Sequence, residues 1–234
     1  MKLISRIFSR PLKLKYAESL AEDVNPPHIA AVQQSEKEGI KEIRRLVQES
    51  PKEKAWAYLP DGLWIQASKK PKNGIIEADT KTLKKLMKEN DEILHYHFHP
   101  NNSPEIETVI KELSKANPED LSNLKEALTI CDAMPSKEDI YFMIEISKKF
   151  YKRHPKGKML HKACSLHGIV EYSLTEEGKG LFKKMGKGTV AQVARIIHSK
   201  LQGPNPEKEP INIINEYCRM LSNDLFNIRF TQYE

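Results

Sequence analysis

The 234-residue sequence predicts a mixed α/β domain, and three observations carry that expectation. Stretches with apolar residues at helical spacing interleave along the chain with stretches that alternate at strand spacing, which is the order of a sheet flanked by helices. The segment Ile93-Leu94-His95-Tyr96-His97-Phe98-His99-Pro100 alternates strictly. Successive strand side chains point to opposite faces, so Leu94, Tyr96 and Phe98 share an apolar face and His95, His97 and His99 share the other. Finally, Pro60-Asp61-Gly62 is a turn signal between two short apolar runs, 54–59 and 63–68, and predicts a hairpin.

The remaining elements follow in order. Residues 1–27 read as a basic arm stopped by Pro26-Pro27. A helix is expected over 28–49, with Ile29, Val32, Ile40, Ile43, Leu46 and Val47 as its core stripe. After the hairpin and a Lys/Pro/Gly loop at 69–74, a Lys-rich helix over 79–90 leads into the histidine strand. Ser103-Pro104-Glu105 starts a helix with Pro at its first position, and Asn117-Pro118-Glu119 starts a second. A helix over 136–153 buries Ile140, Met143, Ile144 and Ile146. A strand over 165–174 ends at Thr175-Glu176-Glu177-Gly178. Helices over 189–201 and 211–222, separated by a Pro/Gly-containing linker, precede a final strand in which Phe226, Ile228 and Phe230 alternate.

Imidazoles two residues apart on one strand face can converge on one metal ion, and zinc accepts two His and a carboxylate. Pro100 cannot extend the ladder, so His97 and His99 fall at a strand end, where sites on open sheets gather. Ser136-x-x-Asp139 is by itself a helix N-cap signature, with the acid suited to the helix dipole. Likewise an HxHxH run is by itself also compatible with a solvated strand face. Glu53 stands at the opening of the first hairpin strand, 44 residues before His97.

Taken together, Glu53, His97-x-His99-Pro100 and Ser136-x-x-Asp139 resemble the signature of the JAMM (MPN-plus, JAB) zinc metalloproteases. The likeness covers about residues 28–185, with His95 outside the pattern. The family joins HxHP to SxxD by a short loop, whereas 35 residues separate Pro100 from Ser136 here. The resemblance implies a three-layer JAB/MPN-like core, a mixed sheet flanked by helices, over 28–188. A helical insertion at 101–134 would border the cleft, and residues 189–234 would form a helical C-terminal extension. It also implies Zn2+ held by His97, His99 and Asp139, with one position left for water. Glu53 is then the general base and Ser136 the oxyanion donor. The implied reaction is hydrolysis of a peptide or isopeptide bond in a protein substrate, a ubiquitin-like conjugate being one kind the family processes. The competing expectation is a non-catalytic MPN-fold interaction module that binds metal at most. A phosphoesterase or cupin-like oxygenase would need further ligands that the sequence does not place.

Composition narrows the classes. The chain is 39% hydrophobic and 30% charged, as expected of a globular protein, and contains no apolar run long enough for a membrane span. Of the net charge of +6, Lys2, Arg6, Arg10, Lys13 and Lys15 supply five before the first acid, leaving the rest at +1. A broad nucleic-acid-binding face is therefore not expected. Cys131, Cys164 and Cys218 are odd in number and far apart, pointing to reduced, buried thiols and a cytoplasmic location. The spacing of His154, His161, Cys164 and His167 is not that of a zinc finger, so no structural zinc is expected there.

Overall fold

The computed structural model describes residues 31–50, 53–68, 80–100, 133–199 and 210–233. Among these residues the chain runs β1 (Ala31–Gln33), α1 (Glu36–Glu49), β2 (Lys54–Tyr58), β3 (Leu63–Gln66), α2 (Thr80–Glu89), β4 (Glu92–Phe98), α3 (Lys137–Arg153), β5 (Lys158–Cys164), β6 (Gly168–Leu174), α4 (Glu176–Phe182), α5 (Lys187–Ser199), α6 (Pro210–Leu221) and β7 (Phe226–Gln232). One mixed sheet takes all seven strands in the order β1-β3-β2-β4-β5-β6-β7. Every neighbouring pair is antiparallel except β4 and β5. A parallel pair requires a crossover, and α3 lies in it.

The period-two pattern sorts the two faces. Trp56, Trp64, Leu94, Tyr96 and Phe98 pack under Ile43, Leu46 and Val47 of α1. Ala57, Ile65 and Ile93 face the other way, against Leu83, Leu86 and Met87 of α2 and Ile146 and Phe150 of α3. The far half of that second face, with Val170, Tyr172 and Phe226, is covered by α3, α4, α5 and α6. Odd-numbered residues of β4 therefore look toward α3, and this decides where the histidines go. The hairpin turns at Gly62, whose φ of 84° is one that residues with a Cβ adopt only under strain.

Helix α1 begins with a capping box. Ser35 accepts from the Glu38 amide, and the Glu38 carboxylate accepts from the Ser35 amide. Four residues on, Gly39 lets α1 lie against the Trp64 indole, because a Cβ built there would run into the ring. Gly39→Ala is expected to lower stability even though alanine is the better helix former. The propensity gain is about 1 kcal/mol, whereas forcing a methyl into a packed core costs about 1–3 kcal/mol. A chemical denaturation curve should show a lower midpoint in the variant.

On the α1 face the Lys162 ammonium is nearly buried. It bridges Glu36 at 2.7 Å and Glu171 at 3.0 Å and sits 5.0 Å from the Tyr96 ring centre. Arg229 also pairs with Glu171, and the Tyr96 hydroxyl donates to Glu36. Burial works to raise both carboxyls, but their bonds to Lys162, Tyr96 and Arg229 prevail and hold both below the ordinary range. Groups depressed in this way contribute stability that is present above the ordinary carboxylate range and lost as pH falls through their folded values. Lys162→Met removes the shared cation, so acid unfolding should begin at a higher pH than in the parent chain. Thermal midpoints measured from pH 7 down to pH 3 test this.

Several expectations are corrected. The helix foreseen over 28–49 starts at Glu36, and Val32 lies in β1, a short edge strand. Residues 158–164, read only as a scatter of His and Cys, form β5 at the centre of the sheet. Thr175-Glu176-Glu177-Gly178, read only as the end of a strand, opens helix α4, capped by Thr175. The described residues of 189–234 share one core cluster with the elements before them. There α5 and α6 contribute Val190, Ala194, Ile213 and Ile214 to the shared cluster, and β7 pairs with β6 along its length. The helices expected at about 103–131 and the arm at 1–27 lie outside the described residues.

Candidate metal centre

Strand register assembles the site. In the antiparallel β2–β4 pair, Lys54 lies opposite Phe98, Ala55 opposite His97 and Ala57 opposite His95. One step further along that register sets Glu53 beside His99, on the α3 face. The alanines opposite His97 and His95 leave room for the imidazoles. The His99 amide donates to the Cys164 carbonyl at 2.9 Å, carrying the β4–β5 ladder past the end of β4.

The third side comes from the start of α3. Ser136 caps the helix, and Asp139 is its capping-box partner. Asp139 Oδ2 accepts from the Ser136 amide at 2.9 Å and from Ser136 Oγ at 2.7 Å, while Ser136 Oγ accepts from the Asp139 amide at 3.1 Å. The cap reading of SxxD is therefore correct. It is also what aims the carboxylate, because the same Asp139 faces the histidines.

His97 Nε2 and His99 Nε2 lie 3.1 Å apart. Asp139 Oδ1 is 3.4 Å from the first and Oδ2 is 3.5 Å from the second. Two ligands bound at 2.0–2.1 Å to one tetrahedral zinc stand about 3.3–3.4 Å apart, so these three edges fit a single ion. The carboxylate spacings are too long for good hydrogen bonds. Among the described residues, His97, His99 and Asp139 are the one group of three that could share a metal. Among the described residues His154, His161, Cys164 and His167 do not form a group that could share a metal. His154 closes α3 and contacts the Met87 carbonyl at 2.8 Å, and Cys164 is buried on the opposite face.

Burial works to raise the Asp139 carboxyl, but His97 and His99 outweigh it and hold the group well below the usual range. Asp139 is thus a ready anionic ligand at neutral pH. Glu53 Oε1 lies 3.7 Å from His99 Nε2, and its side chain is 44% exposed. It stands on the more exposed side of the triad. A cavity of about 200 Å3 opens beside the triad, lined by Glu53, Ala55, His95, His97, Asp139 and Phe142 among others.

Comparison of the chain with models of protein families, with curated proteins and with solved structures found no match. The structure brings all five sequence-derived residues, Glu53, His97, His99, Ser136 and Asp139, to one place, across the 32 consecutive residues, 101–132, that lie outside the described set. Among the described residues no helix is long and apolar enough to cross a membrane.

One neighbour of the histidine strand was not foreseen. His161 lies directly across the parallel ladder from His95, with ring centres 5.2 Å apart, and both are buried. Burial pushes His95 down to about 3, and it likewise lowers His161. No local signal placed His161, because strand β5, Lys158-Met-Leu-His-Lys-Ala-Cys, lacks β-branched residues and carries a lysine into a buried position.

Proposed function

We propose that this protein is a zinc-dependent hydrolase of peptide or isopeptide bonds, of the JAMM kind. The observation that supports this most is the convergence of His97 Nε2, His99 Nε2 and the Asp139 carboxylate at 3.1–3.5 Å, with Glu53 on the open side. Two neutral imidazoles and one carboxylate leave a coordination position free, which is the donor set of a catalytic zinc and not of a closed structural one. Zinc held there supplies a Lewis acid and lowers the pKa of water to about 7.

The chain's own residues supply the rest. Glu53 orients the attacking water, takes its proton and passes it to the leaving amine. Its exposure lets it reach both, and no covalent enzyme intermediate is required. Ser136 has a single hydroxyl proton, directed at Asp139 Oδ2 in this structure. On substrate arrival it donates that proton to the carbonyl oxygen as charge develops there, and the capping amide keeps hold of Asp139. The fold belongs in this reading to the JAB/MPN class, with the segment 101–134 between the HxHP and SxxD parts. A protein substrate is the class proposed, and ubiquitin-like conjugates are the first to try.

The alternative is a metal-binding or metal-free interaction module on the same fold. It gives no reason for a half-exposed glutamate beside the two imidazoles. Zinc-loaded protein incubated with a panel of peptide and modifier-linked isopeptide substrates separates the two. Chelator-sensitive cleavage supports the hydrolase, and intact substrates with full zinc loading support the module.

A further inference from the structure

The cavity beside the triad lies on one side of it. Glu53 and Ala55 stand two residues apart at the start of β2, and Glu138 and Phe142 stand four apart at the start of α3. Each pair therefore shares one face of its element. All four line the cavity, which places it between β2 and α3. Neither His99 nor Ser136 is among the described residues that line it. In the proposed reaction Glu53 hands a proton to the leaving amine, whereas Ser136 donates to the carbonyl oxygen. A cavity that takes in the first and not the second lies on the amine side of the scissile bond.

Its walls suit an apolar group. Ala55 is buried and offers a methyl. Phe142 offers a ring, packed on the His95 and His161 rings with centres 5.3 and 6.1 Å away. The volume is about 200 Å3. A single water needs only about 10–15 Å3, so the space is on the scale of a side chain. The charged groups that line it are Glu53, Lys54 and Glu138 besides the proposed ligand Asp139. Glu53 is 44% exposed, and Glu138 is 71% exposed and pairs with Lys137. An anionic group entering there would lose its water and meet two carboxylates against one ammonium. We propose that this cavity is the subsite for the group carried by the leaving amine, and that it selects an apolar one. In an isopeptide that group is the four-methylene stem of the acceptor lysine, and in a peptide it is a leucine-sized side chain after the scissile bond. The subsite rests on the hydrolase reading, whose substrate class it narrows.

Two series test this on the zinc-loaded full chain. In the first, peptide substrates differ only in the residue after the scissile bond, Gly, Leu, Phe or Asp, and isopeptide substrates carry either lysine or ornithine, which is one methylene shorter. In the second, the corresponding free-amine products are titrated as ligands, with no turnover required. One methylene in an apolar pocket is worth about 10- to 200-fold. Leu should therefore exceed Gly, and lysine exceed ornithine, by at least tenfold in kcat/KM and in product affinity, with Asp below Gly in both. Phe142→Ala widens the cavity and should move the optimum from Leu to Phe. Should that variant fail to fold, the wild-type series decide alone. Equal values across both series, a preference for Asp, or an optimum still at Leu in folded Phe142→Ala would overturn the proposal. Cleavage without selection on the amine side would leave the hydrolase standing and remove the subsite. Product affinities in the expected order without any cleavage would keep the selective cavity and remove the hydrolase.

Discussion

Asp139→Ala should strip the protein of its zinc and of any hydrolytic activity. In the proposed centre the residue is the one anionic ligand, facing His97 and His99 at 3.4 and 3.5 Å. Two imidazoles alone leave zinc with too few protein ligands for a catalytic site. The same substitution removes the carboxylate that accepts from the Ser136 amide and hydroxyl. Loss of a cap of this kind costs about 0.5–2 kcal/mol, so the thermal midpoint should also fall. The two effects separate by experiment. Ser136→Ala disturbs the cap and should keep zinc while losing stability. If Asp139→Ala retained a full zinc complement after dialysis, the ion would be held elsewhere and the triad reading would be wrong.

Glu53→Gln should have the opposite signature. Its carboxylate is half exposed and makes no close contact with the triad, the nearest approach being 3.7 Å to His99. Zinc content and thermal stability should therefore match the parent chain. Hydrolysis should fall by about 10²- to 10⁴-fold, the usual contribution of a positioned general base. The loss should appear in kcat, because an amide of the same shape still occupies the space while the proton acceptor is gone. Activity within a few-fold of the parent would exclude Glu53 as the base and would direct attention to Glu138, which lines the same cavity.

How much of this was readable beforehand depended on the range of the signal. The histidine strand was fully legible, because a period of two written in His and apolar residues has one physical reading, and β4 has the faces expected of it. The hairpin was legible from Pro60-Asp61-Gly62, and α3 from its cap and its Ile140/Met143/Ile144 stripe. The meeting of Glu53, His99 and Asp139 came from motif order, since nothing local says that a residue before β2 lies beside one after β4. Only the β2–β4 register explains it. Strand β5 was illegible for a related reason. Its buried lysine is acceptable only because Glu36 and Glu171 arrive from elsewhere in the chain, and sequence-local hydropathy has no access to such partners. The edge strand β1 is three residues long, too short for any periodicity to register. With β5 unread, the packing of His161 against His95 was lost as well.

The central claim is that one metal ion is gathered by His97, His99 and Asp139. Crystals of the zinc-loaded chain, with anomalous diffraction recorded on either side of the zinc edge, test it most directly. The account predicts a single strong zinc peak bonded to the Nε2 atoms of both histidines and to an Asp139 carboxylate oxygen, at about 2.0–2.2 Å from each. A fully zinc-loaded sample with no peak between those three side chains, or with its peak at other residues, would contradict it.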